Sequence, residues 1–444
     1  MSKYRSIVTS LADRIRSGEL LPGSRLPPQR QLAAQLGVDL TTVTRAYTEL
    51  KRMGLVEGRT GSGSFVHGVP AAAAPAADGF DLSMNVPPRP AGLGDRVTQG
   101  LAAVLAGPEG GASLGYQPSG GTARDRAAAA GWLGRRLGPV EEDRVVVAAG
   151  AQSALFAVLD LLLDRGDTLA CAGLTYPGVR AIAAHLGLRM AGLAHDGEGL
   201  DPGAFAELCR TSPPKALYIV PTIASPTTAT LPPERREAVA AIARRHGVAI
   251  VEDDAYGALP ETAPPPLAAL APETVWHVAS LSKCATPALR VAYVAAPDAR
   301  AALPLTAGLR AISLMASPLT AALATRWIGD GTLDALTAAI RAENRARQRL
   351  AASLLPAGAV AAHPDGNHLW LALPEGWTAA AFTAAARESG LLVVPADAFD
   401  VAGSPPRAVR LSLGGVPDRT GLERALLRLS GLLTWTGGAG GAIV

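Results

Sequence analysis

Val278-Ala279-Ser280-Leu281-Ser282-Lys283 is the stretch that most strongly decides how this chain folds and what it does. It follows the acidic stretch Glu252-Asp253-Asp254-Ala255-Tyr256 and precedes Arg290. Lysine is rare in this chain, and the other lysines are Lys3, Lys51 and Lys215. A lysine amine that folding brings near a carboxylate, a phenol, hydroxyl groups and an arginine can form an imine with an aldehyde. Lys283 is therefore the first candidate for a reactive side chain.

The length of 444 residues predicts two or three domains rather than a single core. A hydrophobic content of 48% with only 18% charged residues is typical of globular proteins and excludes an intrinsically disordered chain. We find no run of about 18 strongly apolar residues, so we expect no membrane span. The scattered Cys171, Cys209 and Cys284 have no metal-ligand spacing, which predicts no metal site and a reducing cytoplasm.

Positive charge is concentrated at the front of the chain. Residues 1–69 hold 10 Lys and Arg against 5 Asp and Glu, a net charge of +5. The remaining residues hold 31 and 33, a net charge of −2. A basic front segment suits contacts with nucleic-acid phosphates, although many solvated surfaces carry a similar excess.

Apolar periodicity predicts three helices in this front segment, at about residues 4–17, 28–36 and 41–53. Asp39 or Thr41 can cap the third helix. Its predicted buried face has the spacing i, i+3, i+4 and i+7 and consists of Val43, Ala46, Tyr47 and Leu50. Short hydroxyls and an arginine on the opposite face are typical of a recognition helix in a major groove.

A β-hairpin is predicted directly after the third helix. Leu55-Val56-Glu57 and Ser64-Phe65-Val66 read as its strands, and the glycine-rich residues 58–63 as its tip. Such a wing can approach the sugar-phosphate backbone closely. The alternative interpretation is a small helical bundle with an incidental hairpin.

The front segment resembles a GntR-type winged helix-turn-helix along its whole length. The resemblance rests on Gly23-Ser24-Arg25-Leu26-Pro27-Pro28-Gln29-Arg30-Gln31-Leu32-Ala33, on Thr42-Val43-Thr44-Arg45-Ala46-Tyr47 and on Gly61-Ser62-Gly63-Ser64-Phe65-Val66. The family usually has serine at the position of Pro28, which is a minor departure. The resemblance implies DNA contacts by Arg30, Thr42, Thr44 and Arg45, with Gly63 in the wing.

Composition and alternation predict the domain boundaries. We expect a winged-helix domain at residues 1–68, an Ala/Pro linker at 69–80 and a large domain at 81–332. A small α+β subdomain at 333–436 and a disordered glycine-rich tail at 437–444 complete the chain. Strands that alternate with helices predict a mainly parallel α/β sheet in the large domain. The clearest strands are Val145–Val147, Thr168–Ala170, Ala216–Val220, Val248–Val251 and Val291–Val294.

Two turns at predicted strand ends can hold a charged ligand. Gly150-Ala151-Gln152 opens a helix after a strand, where free backbone N–H groups bind anions, although many such turns bind nothing. Asp253 ends an apolar strand, where α/β ligands collect, and its carboxylate could keep a pyridine nitrogen protonated. Tyr256 could then bond a phenolic oxygen of the same ring. The alternative for this acidic cluster is a solvated turn.

Further candidates lie elsewhere in the large domain and the small subdomain. Tyr176 could stack on a ring, although a loop tyrosine is more often a packing residue. Ser280 and Arg290 are plausible phosphate partners, because the arginine fork matches phosphate oxygens. Arg410 lies inside an apolar strand, which is costly unless it meets an anion such as a ligand carboxylate.

Together these residues resemble a fold-type I aminotransferase, and with the winged helix the chain resembles the MocR subfamily of GntR regulators over about residues 4–430. The resemblance implies pyridoxal 5'-phosphate as cofactor, with Lys283 as its Schiff-base lysine. It implies Asp253 on the ring nitrogen, Tyr256 on the ring oxygen and Tyr176 stacked on the ring. It implies Arg410 on an amino-acid carboxylate. The implied phosphate ligands are Ala151, Gln152, Ser280 and Arg290, with Tyr116 reaching the phosphate of a partner subunit.

One position departs from the family pattern. The family usually has asparagine beside the ring oxygen, and this chain has Ser225. Serine is shorter and can reach only through water, which puts transamination in doubt. Lys283 and Asp253 remain, so imine formation with the lysine should survive.

The leading hypothesis is a cytoplasmic, homodimeric transcriptional regulator that binds a double-stranded DNA operator and senses an amine or amino acid through its cofactor. The rival is a working aminotransferase that carries a DNA-binding domain. A third alternative is a regulator with a vestigial cofactor pocket. The effector, the operator sequence and the sign of the regulation stay open at this stage.

Overall fold

The computed structural model describes residues 3–16, 26–52, 55–59, 63–66, 79–108 and 110–434. Contacts divide the chain into two units, Met1–Ala74 and Pro75–Val444. The predicted tail at 437–444 and most of the predicted linker at 69–80 lie outside the described residues, as do residues 23–25 and 60–62 of the GntR-like motifs. None of the described helices has both the length and the apolar character needed to cross a bilayer.

The first unit contains three helices and a two-stranded antiparallel sheet, as its periodicity predicts. Its elements are α1 (Lys3–Arg16), α2 (Gln29–Leu36), α3 (Leu40–Arg52), β1 (Val56–Arg59) and β2 (Gly63–Val66). The four residues predicted to form the buried face of α3 are all enclosed in the core of this unit. The prediction for this face is therefore confirmed.

Local hydrogen bonds explain where α3 begins and how it is held. Asp39 Oδ1 accepts from the Thr41 backbone N–H at 2.8 Å and from Thr41 Oγ1 at 2.6 Å, as expected for a capping residue. Tyr47, on the buried face, donates its hydroxyl to the carbonyl oxygen of Pro27 at 2.8 Å. This bond ties α3 to the residues that precede α2.

The second unit alternates strands and helices. Its helices are α4 (Leu93–Ala106), α5 (Ala123–Leu137), α6 (Ala151–Leu162), α7 (Pro177–Leu186), α8 (Pro202–Thr211), α9 (Pro233–His246), α10 (Leu267–Leu270), α11 (Ala299–Ser313), α12 (Pro318–Gly329), α13 (Thr332–Leu354), α14 (Ala379–Glu388) and α15 (Arg419–Thr434). Its strands are β3 (Phe80–Asp81), β4 (Val145–Ala148), β5 (Thr168–Ala172), β6 (Arg189–Leu193), β7 (His195–Asp196), β8 (Gly199–Leu200), β9 (Ala216–Ile219), β10 (Ala249–Asp253), β11 (Val275–Ser280), β12 (Ala292–Ala295), β13 (Val360–Ala362), β14 (His368–Ala372), β15 (Leu391–Leu392), β16 (Val394–Pro395) and β17 (Ala408–Ser412).

A seven-stranded sheet in the order β4-β12-β11-β10-β9-β5-β6 forms the centre of this unit. Only β12 runs antiparallel to its neighbours, so the sheet is mainly parallel as predicted. The five strands predicted from the sequence all belong to it, with ends shifted by one or two residues. Sequence reasoning missed the edge strand β6 and did not single out β11.

The carboxyl ends of these strands bring candidate residues to one edge of the sheet. Gly150 follows β4, and Tyr176 follows β5. Asp253 is the last residue of β10, and Ser280 is the last residue of β11. Residues far apart in sequence therefore meet where a ligand can reach them.

A separate core lies in the C-terminal part, around the four-stranded sheet β13-β14-β17-β16. Helices α13, α14 and α15 contribute buried residues to this core. Leu82 belongs to it as well, and β3 pairs in parallel with β15. Residues 80–82 thus pack with the small subdomain, whereas the sequence-based boundary assigns residues 81 and 82 to the large one. The boundary at 332/333 stays a prediction.

Candidate functional site

The amine of Lys283 lies in an enclosed polar environment just after β11. Its Nζ donates to the backbone oxygen of Asn85 and lies 5.9 Å from the centre of the Tyr256 ring. The residue is half-buried, but its ammonium group is enclosed. Burial, together with the nearby charge of Arg410, lowers the pKa of Lys283 to about 8, against an opposing effect of Asp253. At pH 7 roughly a tenth of the amine is therefore uncharged, far more than for a lysine with its ordinary pKa, and the neutral form is the nucleophile.

Asp253 is the most informative carboxylate of the site, because one of its oxygens lacks a partner. Only 5% of the residue is exposed, and Oδ2 accepts from the hydroxyl of Tyr218 at 2.8 Å. Oδ1 is buried and meets no hydrogen-bond donor within the described ranges. Burial raises the pKa of Asp253 to about 6. A protonated ring nitrogen would satisfy Oδ1, so this residue fits the role that the resemblance implies.

The strand behind Asp253 is held by buried polar contacts on the other face of the sheet. Glu252 accepts from the backbone N–H groups of Leu267 and Ala268 at 2.7 and 3.0 Å. His277 Nδ1 lies 2.8 Å from the same carboxylate. Arg136 forms an ion pair with Asp254, the residue after the strand. These contacts fix the end of β10 and hence the position of Asp253.

Gly150, Ala151 and Arg290 form a cradle for an anion. Gly150 has φ +89°, and a Cβ atom built on it would lie 2.7 Å from Nη2 of Arg290. The positive φ strains any side chain at position 150, and the guanidinium of Arg290 lies against the backbone at the start of α6. The first N–H groups of that helix have no cap, which leaves them for a phosphate. Ser280, buried at the end of β11, bonds Ser282 Oγ at 2.9 Å.

Tyr176 and Tyr116, two of the tyrosines assigned by resemblance, have different surroundings. Tyr176 is half-buried, and its hydroxyl donates to Gln152 Oε1 at 3.3 Å. Gln152 Nε2 in turn donates to the carbonyl oxygen of Gly178 at 3.2 Å. Tyr116 is 86% exposed. Ring stacking by Tyr176 and a phosphate contact by Tyr116 in a partner subunit both stay predictions.

Arg410 places a buried cation near Lys283. It lies in β17 with 7% of its surface exposed, and Nη2 donates to the backbone oxygen of Ser83. The guanidinium carbon lies 5.2 Å from the centre of the Phe399 ring. Burial lowers the pKa of Arg410, and its Nε has no partner among the residues that the structure describes. A carboxylate would neutralise this charge and bond Nε.

Sequence reasoning missed Asn85, Tyr218 and His368, which line the same site. Asn85 Nδ2 donates to Tyr256 Oη at 2.7 Å. Ser225 Oγ, by contrast, is buried without a hydrogen-bond partner in the described part of the chain. Tyr218 and His368 are isolated polar residues in apolar strands, a signal that could have been used. Asn85 lies in no motif and had no such signal.

The residues expected to contact DNA lie mostly on the surface of the first unit. Arg30, Thr44 and Arg45 are exposed, and Thr42 is half-buried. Thr44 Oγ1 donates within a local network to Gln29 Oε1 at 2.8 Å. The Arg45 guanidinium lies 4.8 Å from the centre of the Tyr4 ring. Gly63 is the first residue of β2. Their contacts with DNA stay predictions.

Comparison with known families accounts for both units. Residues 3–66 match the gntR family of bacterial regulatory proteins, and residues 77–429 match the class I and II aminotransferases. The chain belongs to the MocR-type GntR regulators. Its MocR-type architecture confirms the fold class predicted from the sequence, a winged helix followed by a fold-type I aminotransferase-like domain.

Similar proteins carry matching descriptions. This MocR-type chain is 29% identical over 440 residues to the HTH-type transcriptional regulator YdeF of Bacillus subtilis, covering 97% of this chain and 94% of YdeF. It is 30% identical over 455 residues to the HTH-type transcriptional regulator TauR of Rhodobacter capsulatus, covering 89% of each. Among solved structures, LysN, an α-aminoadipate aminotransferase of Thermus thermophilus complexed with N-(5'-phosphopyridoxyl)-L-leucine, has 27% identity and a TM-score of 0.73, covering 80% of this chain and 92% of LysN. The chain is thus a transcriptional regulator with an aminotransferase-like domain.

Proposed function

We propose that this regulator depends on pyridoxal 5'-phosphate and senses an amine or amino-acid effector through its aminotransferase-like domain. One observation carries the proposal. The enclosed amine of Lys283 shares its pocket with two buried groups that lack partners among the described residues, Asp253 Oδ1 and Arg410 Nε. Buried polar groups without partners are costly in a purely structural setting. A ring with a protonated nitrogen and a ligand with a carboxylate would satisfy both.

Each residue of the site has a distinct role in this proposal. Pyridoxal phosphate supplies an aldehyde that forms an imine with an amine, and a phosphate that anchors it. Lys283 holds the aldehyde, Asp253 keeps the ring nitrogen protonated, and Arg410 holds the effector carboxylate. Tyr256 donates to the ring oxygen, with Ser225 nearby and Tyr176 against the ring. The phosphate is held by Ala151, Gln152, Ser280 and Arg290, and by Tyr116 of a second copy.

Effector binding would change contacts at both ends of one segment. With neither cofactor nor effector bound, Lys283 donates to Asn85 O, and Arg410 donates to Ser83 O. The imine with the cofactor would engage the Lys283 nitrogen. An amino acid that replaces Lys283 would free the lysine amine again, and its carboxylate would compete with Ser83 O for Arg410. Because the ligand interacts differently with the two arrangements, it shifts the population between them. That shift is the signal that reaches the DNA-binding residues.

The partners in this proposal follow from the two domains. The winged helix binds a double-stranded operator through Arg30, Thr42, Thr44 and Arg45, with Gly63 in the wing. The large domain forms a homodimer, which lets two winged helices read two half-sites. The protein acts in the cytoplasm, where its free cysteines Cys171, Cys209 and Cys284 stay reduced.

Borohydride trapping combined with an absorbance scan tests the proposal. Reduction of the full chain loaded with pyridoxal phosphate should attach the cofactor to the peptide that contains Lys283. Amines from a panel should then change the absorbance, and those that do should change operator binding. Lys283→Ala should abolish both responses, whereas Lys215→Ala, at an exposed lysine of the same unit, should keep them. Labelling at Lys215, or an effector response that survives in Lys283→Ala, contradicts the proposal.

A working aminotransferase is the second candidate function. It is favoured by the uncharged fraction of Lys283, since a neutral lysine can move a proton on a bound amino acid. Steady turnover with an amino donor and a keto-acid acceptor would support it. A single half-reaction, or none, would count against it.

A further inference from the structure

Asn85 enters the cofactor site from a segment that is anchored on the small subdomain. The backbone N–H of Leu82 donates to Leu392 O at 2.9 Å, and Ser412 N–H donates to Leu82 O at 2.7 Å. Gly414 packs so closely that an added Cβ would lie 2.0 Å from Val86 O. These contacts fix residues 82–86 in position. The Asn85 side chain reaches Tyr256 from there, 171 residues further along the chain.

His368 determines which way the Asn85 carboxamide points. Burial lowers the pKa of His368 to about 3, so its ring is neutral and carries one N–H. Nε2 lies 3.4 Å from the carbonyl oxygen of Ala224, which can only accept, so the hydrogen is on Nε2. Nδ1 is then an acceptor, and it faces Asn85 Nδ2 at 3.4 Å. The carboxamide therefore turns its NH₂ group, not its oxygen, toward His368 and Tyr256.

This orientation fixes the hydrogen of the Tyr256 hydroxyl. Oη accepts from Asn85 Nδ2 at 2.7 Å, so the phenol cannot donate toward Asn85 and must direct its own hydrogen elsewhere. A phenol that accepts a hydrogen bond is also a stronger donor. Asn85 Oδ1 points away and has no partner anywhere in the described residues. Ser225 Oγ, the other polar atom at this end of the site, has no partner with good hydrogen-bond geometry among the described residues, but it lies close enough to the phenol to lower the pKa of Tyr256.

We propose that Asn85 is a positioning residue that, oriented by His368, makes Tyr256 a directed donor to the ring oxygen of the cofactor. This inference rests on the proposed function, because it needs the cofactor to be bound at Lys283. Asn85 acts through Tyr256 and does not itself reach the ring oxygen. The hydrogen bonds that link Ala224, His368, Asn85 and Tyr256 each fix which group donates in the next one. No proton is transferred along them.

The charged surroundings of Tyr256 are compatible with this role. Burial raises the pKa of Tyr256, the Arg410 charge lowers it, and Asp253 and Tyr176 raise it. Lys283 is the other cation that faces the ring. The phenol therefore stays protonated at neutral pH and can donate. Asn85 is uncharged, so it changes the direction and strength of one hydrogen bond without changing the charge of the site.

A pH titration of the bound cofactor's absorbance tests the inference. A donor to the ring oxygen stabilises its anionic form, and losing this donor makes that end of the cofactor more basic. In full-length protein loaded with pyridoxal phosphate, Asn85→Leu should raise the midpoint of the titration by about one pH unit, a tenfold change in proton affinity. Met84→Ala, at a neighbour that is 61% exposed, is the matched control and should titrate like the wild type.

A double-mutant cycle with Tyr256→Phe shows whether Asn85 acts through the phenol. Tyr256→Phe should raise the midpoint at least as much as Asn85→Leu, and adding Asn85→Leu to it should change nothing further. If Asn85→Leu raises the midpoint as much in Tyr256→Phe as it does in the wild type, the inference is overturned, because Asn85 would then act on the cofactor without Tyr256. If Asn85→Leu fails to fold, Asn85→Ala replaces it. Alanine has no side-chain N–H and adds no charge, so the midpoint should again rise.

The outcomes separate this inference from the proposed function. If borohydride does not label Lys283 in the wild type, both fail. If Lys283 is labelled but Asn85→Leu and Asn85→Ala titrate like the wild type, only the role of Asn85 fails. A loss of cofactor affinity without a shift in the midpoint also overturns it, since that result is expected of a purely structural residue.

Discussion

The winged-helix unit and the proposed cofactor site use their polar residues in opposite ways. In α3, the residues expected to meet DNA are largely exposed, and the buried face is built from Val43, Ala46, Tyr47 and Leu50. In the cofactor site, by contrast, Asp253 and Arg410 are buried, and each has an atom without a partner among the described residues. In the winged-helix unit, the residues expected to bind DNA and the residues that stabilise the core lie on separate faces of α3. In the second region, the same buried atoms affect both ligand binding and stability.

This difference has a general physical reason. DNA is a large external surface, and side chains can reach it while they remain hydrated. A small cofactor must be enclosed, so the groups that bind it lose water before it arrives. The cofactor site therefore carries a desolvation cost that binding removes. In the winged-helix unit, we expect a substitution to change either stability or DNA binding. In the cofactor site, we expect a substitution that raises stability to weaken binding.

The largest effect on stability should come from a charge placed in the winged-helix core. Val43→Asp puts a carboxylate at a position that is 0% exposed, and an uncompensated buried charge costs roughly 3–5 kcal/mol. The first unit should unfold and operator binding should be lost. Hydrogen exchange over residues 26–52 of the full chain measures this. Thr48→Asp, on the exposed face, is the control and should keep protection. Retained protection in Val43→Asp would refute the assigned core.

The next effect, opposite in sign, should come from Asp253→Asn in the cofactor-free chain. Burial raises the pKa of Asp253 from its ordinary value to about 6, so the folded state binds this proton more tightly than the unfolded state does. The free energy of unfolding is therefore highest below about pH 4, where the carboxyl group is protonated in both states. It falls as the pH rises to about 6 and above, because the buried group must then ionise. Removing the charge should stabilise the second unit by about 3 kcal/mol at pH 7 and leave it unchanged at pH 4.

Urea unfolding followed by tryptophan fluorescence checks this prediction. All six tryptophans belong to the second unit, so the signal reports on it alone. The same variant should bind pyridoxal phosphate more weakly, because a neutral amide does not hold the ring nitrogen protonated. A variant that is no more stable than the wild type at pH 7 would show that the buried carboxylate carries no penalty.

A smaller loss of stability is expected when one buried hydrogen bond in the first unit is removed. Tyr47→Phe deletes the hydroxyl that donates to Pro27 O and should cost about 1 kcal/mol. The helix and its exposed residues should be unchanged, so operator affinity at a temperature well below unfolding should stay at the wild-type value. Hydrogen exchange and an operator titration measure the two quantities. A large loss of affinity in the still-folded variant would mean that Tyr47 does more than pack.

The smallest effect on stability is expected for Arg45→Ala. Its guanidinium is exposed and stacks on the Tyr4 ring, so stability should change by less than about 0.5 kcal/mol. Operator affinity should nevertheless fall, and the slope of its logarithm against log salt should decrease by about 1 if the contact is to phosphate. Arg189→Ala removes the same charge from an exposed site in the second unit and should change neither. Unfolding of the first unit by Arg45→Ala would remove the contrast between the two regions.

The first unit could be predicted almost completely because its information is local. Helical spacing identified the buried face of α3, and Asp39 was one of two expected caps. Turn residues identified the hairpin of β1 and β2. Side chains three and four residues apart share a face of a helix, so short stretches of sequence carry this information.

The cofactor site was predicted only in part. Asp253 and Tyr256 were proposed because they end or closely follow a recognisable strand, Lys283 because lysine is rare and this one lies among polar residues, and Arg410 because a cation in an apolar strand needs an anion. The role of Asn85 was not predicted, because its partners Tyr256 and His368 are 171 and 283 residues away. The same holds for Arg290 against Gly150, since only the order of strands in the sheet brings their segments together.

By itself, the sequence determined the two kinds of domain, the apolar faces of the helices and the alternation that builds the large sheet, and it singled out the candidate reactive lysine. Propensity, periodicity and short motifs act over a few residues, and each of these features is encoded in short stretches of the sequence. Only the tertiary structure decided which polar atoms are enclosed without partners, how far burial lowers the pKa of Lys283, and which way the Asn85 carboxamide points. Those properties depend on desolvation and on hydrogen-bond direction, and both are set by neighbours from distant segments that meet only in the folded chain.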